Sequence, residues 1–299
     1  MTRTGTNPTA APTLGPLLTG LCDDAAVFPP GNAPAASAVP WHFAHQRSGH
    51  ADLVGPFVFP DTRLEELPEL LVGRPGDLAI SLTVPAGVGR VPDALGRARA
   101  IDGVRVVAVE VGVPDDQSPD TLFAGLAAIG ELVTDTTVFV EVPRGSRRTE
   151  VLARLAGTGH AAKFRTGGIT ADAYPDEAEL AAAIDAVTGL GIAFKATAGL
   201  HHAVRNTDPA TGFDQHGFLN VLLATHLAAG GADRAELIAV LADRDGGRIA
   251  DRLGSLRPAD VAALRTRFLS FGTCSIAEPL ADLTALGLTS RPLSHGVHA

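Results

Sequence analysis

Lysine is almost absent from this chain of 299 residues. Of its 24 lysine and arginine residues, only Lys163 and Lys195 are lysines, and the other 22 are arginines. An arginine side chain keeps its proton near neutral pH, whereas a lysine amine loses it once its pKa is lowered. Two lysines kept inside apolar, strand-like segments therefore indicate chemistry that needs an amine. The alternative is chance, or two lysines that extend to solvent from strand ends.

Cysteines, basic stretches and long apolar runs are scarce as well. Cys22 and Cys274 lie far apart, which favours two free thiols in a cytoplasmic protein over a disulfide framework. The chain has no run of about 18 apolar residues and no apolar segment typical of a signal peptide, so we expect no membrane partner. A net charge of −9 without a basic face argues against nucleic-acid binding. Whether the chain forms a homo-oligomer is left open.

Short apolar runs alternate with longer helical runs, a pattern typical of βα units around a parallel sheet. The expected strands are Asp23–Phe28, Leu53–Phe59, Leu78–Val84, Val104–Val111, Thr137–Val142, Ala161–Arg165, Ile192–Thr197 and Phe268–Phe271. Eight strands with interleaved helices predict an α/β fold, a closed (β/α)8 TIM barrel. A doubly wound open sheet is the alternative, but no Gly-x-Gly-x-x-Gly follows the first strand.

The predicted barrel is a single domain over residues 20–290. A flexible tail is expected at residues 1–19 and a C-terminal tail at residues 291–299. The connection between the seventh and eighth strands is unusually long, and residues 201–266 contain several helical stretches. This insertion is either a lid over the active site or a helical layer on the side of the barrel.

Charged side chains cluster at the predicted carboxyl ends of the strands, where barrel enzymes carry their catalytic groups. The candidates are Asp23, Asp24, Glu110, Glu141, Lys163 and Lys195. Two lysines on adjacent strands are expected to lower the pKa of one amine, because like charges and burial both disfavour the ammonium form. A neutral amine forms a Schiff base with a carbonyl, and the iminium then serves as an electron sink for making or breaking a carbon–carbon bond. Glu110 is the first candidate for proton transfer, followed by Asp23 or Asp24.

At these residues the sequence resembles the deoxyribose-phosphate aldolase family. Lys163-x-x-Thr166-Gly167 resembles the signature around that family's Schiff-base lysine. Phe194-Lys195, with Gly199 four residues after the lysine, resembles its second lysine strand. Gly272-Thr273-Cys274-Ser275 resembles its phosphate turn, and Leu21–Ala26 is more distantly similar to its opening strand. Glu110 lies roughly where the family carries an acidic proton-relay residue.

The resemblance implies a class I, metal-independent aldolase or lyase that needs no cofactor and acts on a small aldehyde, ketone or sugar-like carbonyl. It implies Lys163 as the Schiff-base lysine, with Lys195 lowering its pKa. The expected substrate-binding residues are Arg165, Thr166, Gly167, Gly168, Gly199, His201, His202, Arg205, Gly272, Thr273 and Ser275. Where the family has Gly-Gly-Ile/Val-Arg, however, this chain has Ala198–His202, so phosphorylation of the substrate stays open.

Two other functions remain alternatives. His201, His202 and His216, together with strand-end carboxylates, are residue types that bind divalent metals, which would suit a metal-dependent isomerase or hydrolase. No compact ligand motif such as His-Glu-x-x-His is present in the sequence. A non-catalytic binding barrel is the second alternative, although such a protein has little need for two amines in place of guanidinium groups.

Overall fold

Eight parallel strands form a closed barrel in the computed structural model, which describes residues 15–74 and 76–289. In chain order the strands are β1 Cys22–Asp24, β2 Val54–Pro60, β3 Leu78–Val84, β4 Val104–Val111, β5 Thr137–Glu141, β6 Ala161–Arg165, β7 Phe194–Thr197, β8 Asn206–Thr207, β9 Asp214–Gln215 and β10 Phe268–Thr273. The barrel consists of β1 to β7 and β10, and β10 closes it between β7 and β1. The predicted (β/α)8 barrel is therefore confirmed.

Helices follow the barrel strands and cover the outer face of the sheet. They are α1 Gly15–Leu18, α2 Ala35–Gln46, α3 Leu67–Leu71, α4 Val91–Arg99, α5 Pro119–Ala128, α6 Arg148–Leu155, α7 Glu177–Gly189, α8 Phe218–Ala229, α9 Arg234–Ala242, α10 Gly246–Gly254, α11 Pro258–Arg265 and α12 Ala277–Ala285. Local sequence explains several of their ends. The Asp176 carboxylate accepts a hydrogen bond from the Glu179 amide and caps α7, and Gly191, at φ 68°, follows the end of that helix.

The first strand is shorter than expected. It ends at Asp24, whereas the sequence suggested a strand over residues 23–28. The Ala25 amide still bonds to the Thr273 carbonyl of β10, but the Phe28 amide then turns back to the Ala25 carbonyl. Residues 25–34 therefore leave the sheet and form a loop between β1 and α2.

The insertion between β7 and β10 has two structurally different parts. From residue 218 onward it is a packed layer, because α8 lies against α7, α9, α10, α11 and β10, and the first two turns of α8 are buried. Residues 199–217, with the small β8–β9 hairpin, lie at the carboxyl ends of the barrel strands instead. The alternative of a helical layer thus describes the segment from residue 218 onward, and a lid stays a prediction for the segment before it.

The expected tails lie largely beyond what is described. Residues 1–14 and 290–299 fall outside the described ranges. The last residues of the expected tail at 1–19 are part of the folded chain, because Leu17 and Leu18 of α1 are buried and α1 packs near α11. Within the described part of the chain, no helix is long and apolar enough to cross a membrane.

Candidate active site

Lys163 and Lys195 are direct neighbours across the β6–β7 pair. The two residues are in register, and the strand pleat sends in-register side chains to the same face of a sheet. The alternating residues Phe164 and Phe194 pack instead among the buried apolar side chains, with their ring centroids 5.6 Å apart. Both lysines are buried inside the barrel. The sequence prediction that the two amines share one site is consistent with this register.

The carboxylate of Glu110 lies between the two lysines. One of its oxygens accepts from Lys163 Nζ at 2.7 Å and the other from Lys195 Nζ at 2.6 Å. The Ser81 hydroxyl on the neighbouring strand β3 donates to the oxygen that Lys195 contacts, at 2.7 Å. Glu110 is itself buried, so its charge is balanced by the side chains of this chain.

Two further carboxylates contact the lysines, Asp23 at Lys195 and Glu141 at Lys163. Asp23 on β1 accepts from Lys195 and, at 2.8 Å, from the Ser270 hydroxyl of β10. Its second oxygen has no hydrogen-bond partner within residues 15–74 and 76–289, and it faces Gly55, where a Cβ atom would lie 2.3 Å away. Glu141 at the end of β5 accepts from Lys163 at 2.9 Å, and its side chain is 30% exposed.

The carboxylates reverse the expected effect on the lysine pKa values. Burial lowers the pKa of Lys163, but the charges of Glu110 and Glu141 outweigh burial, and the pKa is raised. The pKa of Lys195 is raised in the same way by Asp23 and Glu110. The pKa of Glu110 is well below its usual range, because the two ammonium groups outweigh burial. The expectation of a net lowered pKa at Lys163 is therefore wrong, since the charges of its two carboxylate partners outweigh burial.

A cavity of about 2010 Å³ opens at the carboxyl ends of the barrel strands. Lys163, Glu110, Glu141 and Asp24 are among its lining residues. Lys195 and Asp23, which the structure also describes, are not among them. Of the two amines, Lys163 is thus the one that a molecule in the cavity can reach.

The cavity also contacts most of the residues expected to bind substrate. Those that line it are Arg165, Gly168, Gly199, His201, His202, Gly272 and Ser275. His201 Nδ1 lies 2.9 Å from the Glu278 carboxylate and 3.8 Å from Cys274 Sγ. Burial lowers the pKa of His201, but its hydrogen bonds with Cys274 and Glu278 prevail and raise that pKa to about 10. His202 bonds to Asp282 at 3.1 Å.

Four of the expected binding residues make contacts within the protein and do not line the cavity in the described structure. Thr166 is buried, and its hydroxyl donates to the Ala198 carbonyl at 2.6 Å, which joins the ends of β6 and β7. A Cβ atom on Gly167 would lie 2.8 Å from Gly199 Cα, so close backbone packing requires glycine there. The Thr273 hydroxyl donates to the Ser275 carbonyl, and the buried guanidinium of Arg205 pairs with Glu177 at 2.6 Å.

His216 is the third histidine that the sequence suggested as a metal ligand. His216 is buried and donates from Nε2 to the Pro175 carbonyl at 2.8 Å, and burial lowers its pKa to about 4. In the described part of the chain, no three His, Cys, Asp or Glu side chains are grouped so that they could hold a metal ion.

The sequence assigned no specific role to two residues of this site, His42 and Glu141. His42 of α2 is buried and its Nδ1 lies 2.9 Å from Asp24, which lines the cavity. The side-chain amide of Gln46 donates to the other ring nitrogen of His42, so Nδ1 carries the proton that Asp24 accepts. Glu141 was noted at a strand end but was given no catalytic role. No sequence signal connects His42 to Asp24, whereas the position of Glu141 beside Lys163 follows from strand order.

Comparison with known proteins gives only distant likenesses to this barrel. No family model matches the sequence, and no curated protein matches it. A solved structure of a monomeric dihydrodipicolinate synthase variant is 13% identical, with a TM-score of 0.38 over 92% of this chain and 99% of that chain. A candidate fructose-1,6-biphosphate aldolase from Coccidioides immitis is also 13% identical, with a TM-score of 0.31 over 86% of this chain and 93% of that chain. Likenesses of this strength leave the activity to be argued from the site itself.

Proposed function

We propose that this protein is a class I aldolase or lyase that makes or breaks a carbon–carbon bond through a Schiff base on Lys163. One observation carries the proposal. Lys163 is the amine that borders the cavity, and it lies between a buried carboxylate, Glu110, and a partly exposed one, Glu141. An amine beside such groups can both attack a carbonyl and exchange the protons that the reaction requires.

The first step needs the neutral amine, so Lys163 must lose a proton before it attacks. Glu110 is a poor acceptor because one of its oxygens already accepts from both Lys195 and Ser81, and the neighbouring ammonium groups lower its pKa. Glu141 is the better acceptor, since it is partly exposed and contacts Lys163 directly. Addition of the amine to the carbonyl gives a carbinolamine, and loss of water with a proton from Glu141 gives the iminium.

The iminium then withdraws the electron pair of the bond that breaks. In the cleavage direction a base in the cavity takes the proton of the β-hydroxyl group, and that carbon becomes the carbonyl of the leaving fragment. The electron pair of the broken carbon–carbon bond forms the double bond of the enamine, while the π pair of the iminium moves to the nitrogen. Asp24, which lines the cavity, and Glu141 are the carboxylates placed to move that proton through a water molecule. Protonation of the enamine and hydrolysis of the iminium return the free amine.

Lys195 acts in this scheme as a positioning residue. It lies deeper than Lys163 and is held by Asp23 and Glu110. Its charge keeps Glu110 ionised and oriented toward Lys163, although Glu110 is buried.

Borohydride trapping tests the proposal with little ambiguity, because the chain holds only two lysines. Incubation with simple aldehydes or ketones and borohydride should add one reduced adduct, located by mass spectrometry on the peptide that contains Lys163. Lys163→Arg should fold normally and lose this adduct, because guanidinium is not a usable nucleophile. An adduct on Lys195 alone would reverse the roles of the lysines, and turnover without any adduct would exclude a Schiff base.

A chelator control separates the proposal from the metal-dependent alternative. Trapping and turnover should be the same with and without EDTA. Loss of turnover in EDTA, restored by a divalent metal, would favour the isomerase or hydrolase instead.

A further inference from the structure

The cavity is much larger than the reaction at Lys163 requires. Sites for drug-sized ligands typically enclose about 300–1,000 Å³, whereas this cavity holds about 2010 Å³. It extends from the barrel mouth along the loop of residues 25–34 to α2. A small carbonyl compound bound to Lys163 would fill only a fraction of it, so the rest of the cavity is available to a remote part of the substrate.

The charge around the cavity disfavours an anionic substrate. Among its described lining residues only Lys163 and Arg165 are permanent cations. Six carboxylates line it: Asp24, Asp52, Glu110, Glu141, Asp208 and Glu278. Lys163 is already paired with two of these carboxylates, and Arg165 lies 3.5 Å from Glu141. A phosphate or carboxylate would therefore meet a net negative field and paired cations.

The turn after β10, where the sequence suggested phosphate binding, contains its own acid. Glu278 lies in the first turn of α12, the helix end that attracts negative charge. Its carboxylate bonds to His201, the cation that faces this turn. The Thr273 hydroxyl is committed to the Ser275 carbonyl. An incoming phosphate would have to displace Glu278 to reach these groups.

A cationic substrate gains less from the same carboxylates than their number suggests. Three of the six are held by charged basic side chains of this chain: Glu110 and Glu141 by the lysines, and Glu278 by His201. The lining charges therefore argue against an anion, and the apolar residues of the cavity favour a neutral substrate over a cationic one.

An apolar wall lines the part of the cavity beside α2. We define it by Phe28, Pro29, Pro30 and Trp41, which belong to α2 and to the loop that precedes it and which all line the cavity. Trp41 is 37% exposed, which is unusual for a side chain of this size. Large exposed apolar side chains that share a cavity with a reactive group are typical of a ligand site.

From these observations we infer that the substrate is an uncharged carbonyl compound whose remote part is an apolar group that binds against this wall. The inference rests on the proposed function, since it assumes that the carbonyl reacts with Lys163. It goes further in assigning the substrate class, and it excludes a phosphorylated substrate.

Four aldehydes with the same reactive end test the inference: propanal and its derivatives with a phenyl, phosphonate or trimethylammonium group on carbon 3. The readout is the aldehyde concentration that gives half-maximal borohydride trapping on Lys163. We expect 3-phenylpropanal to need at least tenfold less than propanal, and the phosphonate to need more than propanal. A phosphonate or trimethylammonium derivative that traps at lower concentration than the phenyl compound would overturn the inference.

Variants of the wall provide a second measurement. Trp41→Ala and Phe28→Ala should each reduce the advantage of 3-phenylpropanal while leaving propanal trapping unchanged, which also shows that the protein is folded. Leu132→Ala is the matched control, because Leu132 is similarly exposed, at 40%, and does not line the cavity. An unchanged phenyl advantage in both wall variants would contradict the inference. Absence of trapping with all four aldehydes would instead remove the proposed function, and this inference with it.

Discussion

Glu110 Oε2 lies 2.7 Å from Lys163 Nζ, and this contact sets the resting state of the candidate nucleophile. A buried carboxylate this close stabilises the ammonium form, and the pKa of Lys163 is raised accordingly. The amine is therefore charged at rest, so a neighbouring group must take its proton when substrate binds.

Glu141→Gln removes the carboxylate that we expect to take the proton from Lys163. Adduct formation at pH 7 should slow roughly 100-fold, within the usual range for the loss of a general base. Raising the pH should restore part of the rate, because hydroxide then removes the proton. The rate of borohydride-trapped adduct across pH 6–10, compared with Glu141→Asp as the conservative variant, measures this effect. A rate equal to that of the unmodified protein would assign the proton transfer to another group.

Lys195→Leu removes a positive charge from the far side of Glu110. The pKa of Lys163 should rise, and the rising limb of the pH–rate profile should move upward by about one pH unit. The folded state should also lose about 3–5 kcal/mol, because the Asp23 and Glu110 carboxylates stay buried without their shared cation. The double variant Asp23→Asn/Lys195→Leu serves as the control, since it should recover part of the stability while keeping the shifted profile. If the profile of a folded, active variant does not move, the two amines are not coupled.

The buried imidazole of His216 should make the free energy of unfolding depend on pH below neutrality. Its pKa is about 4 in the folded chain, below its usual 6.5, mainly because the ring is buried. A lowered folded pKa means that its contribution to stability is complete above pH 6.5 and is lost as the pH falls from 6.5 toward 4. The difference in unfolding free energy between the unmodified protein and His216→Gln should therefore fall by about 3 kcal/mol across this window. Urea titrations at pH 7.5, 6, 5 and 4 measure it, and a constant difference would contradict the buried neutral imidazole.

The barrel and its lysine pair could be predicted because the information is local. Nearly continuous apolar runs such as Val104–Val109 predict the strands of a parallel sheet, and strand order then places Lys163 beside Lys195. The end of β1 could not be predicted, since residues 25–28 are apolar enough to continue a strand. A tertiary turn, in which the Phe28 amide bonds to the Ala25 carbonyl, ends the strand at Asp24.

The electrostatics of the site could not be predicted, because they depend on which side chains fill the space between the amines. Strand ends predict both Glu110 and Asp23 at the site, but the sequence does not show that one carboxylate lies between two lysines. The prediction of a lowered pKa assumed two amines in direct contact and failed for this reason. The partnership of Asp24 with His42 is equally hidden, because it depends on how α2 packs against β1 and β2.

His202 and Arg205 both follow β7, but they lie in different surroundings. His202 lines the cavity and its side chain is 42% exposed, whereas Arg205 is buried against Glu177. His202→Ala should raise KM with little change in the melting temperature, because exposed side chains contribute about 0.5 kcal/mol or less. Arg205→Ala should lower stability by about 2 kcal/mol, less than for a fully buried pair because Glu177 is partly exposed, while the folded fraction keeps its KM. Thermal melts and steady-state kinetics on both single variants measure these effects. A stability loss in His202→Ala with unchanged KM would mean that residues 199–217 act only as a structural layer and make no substrate contact.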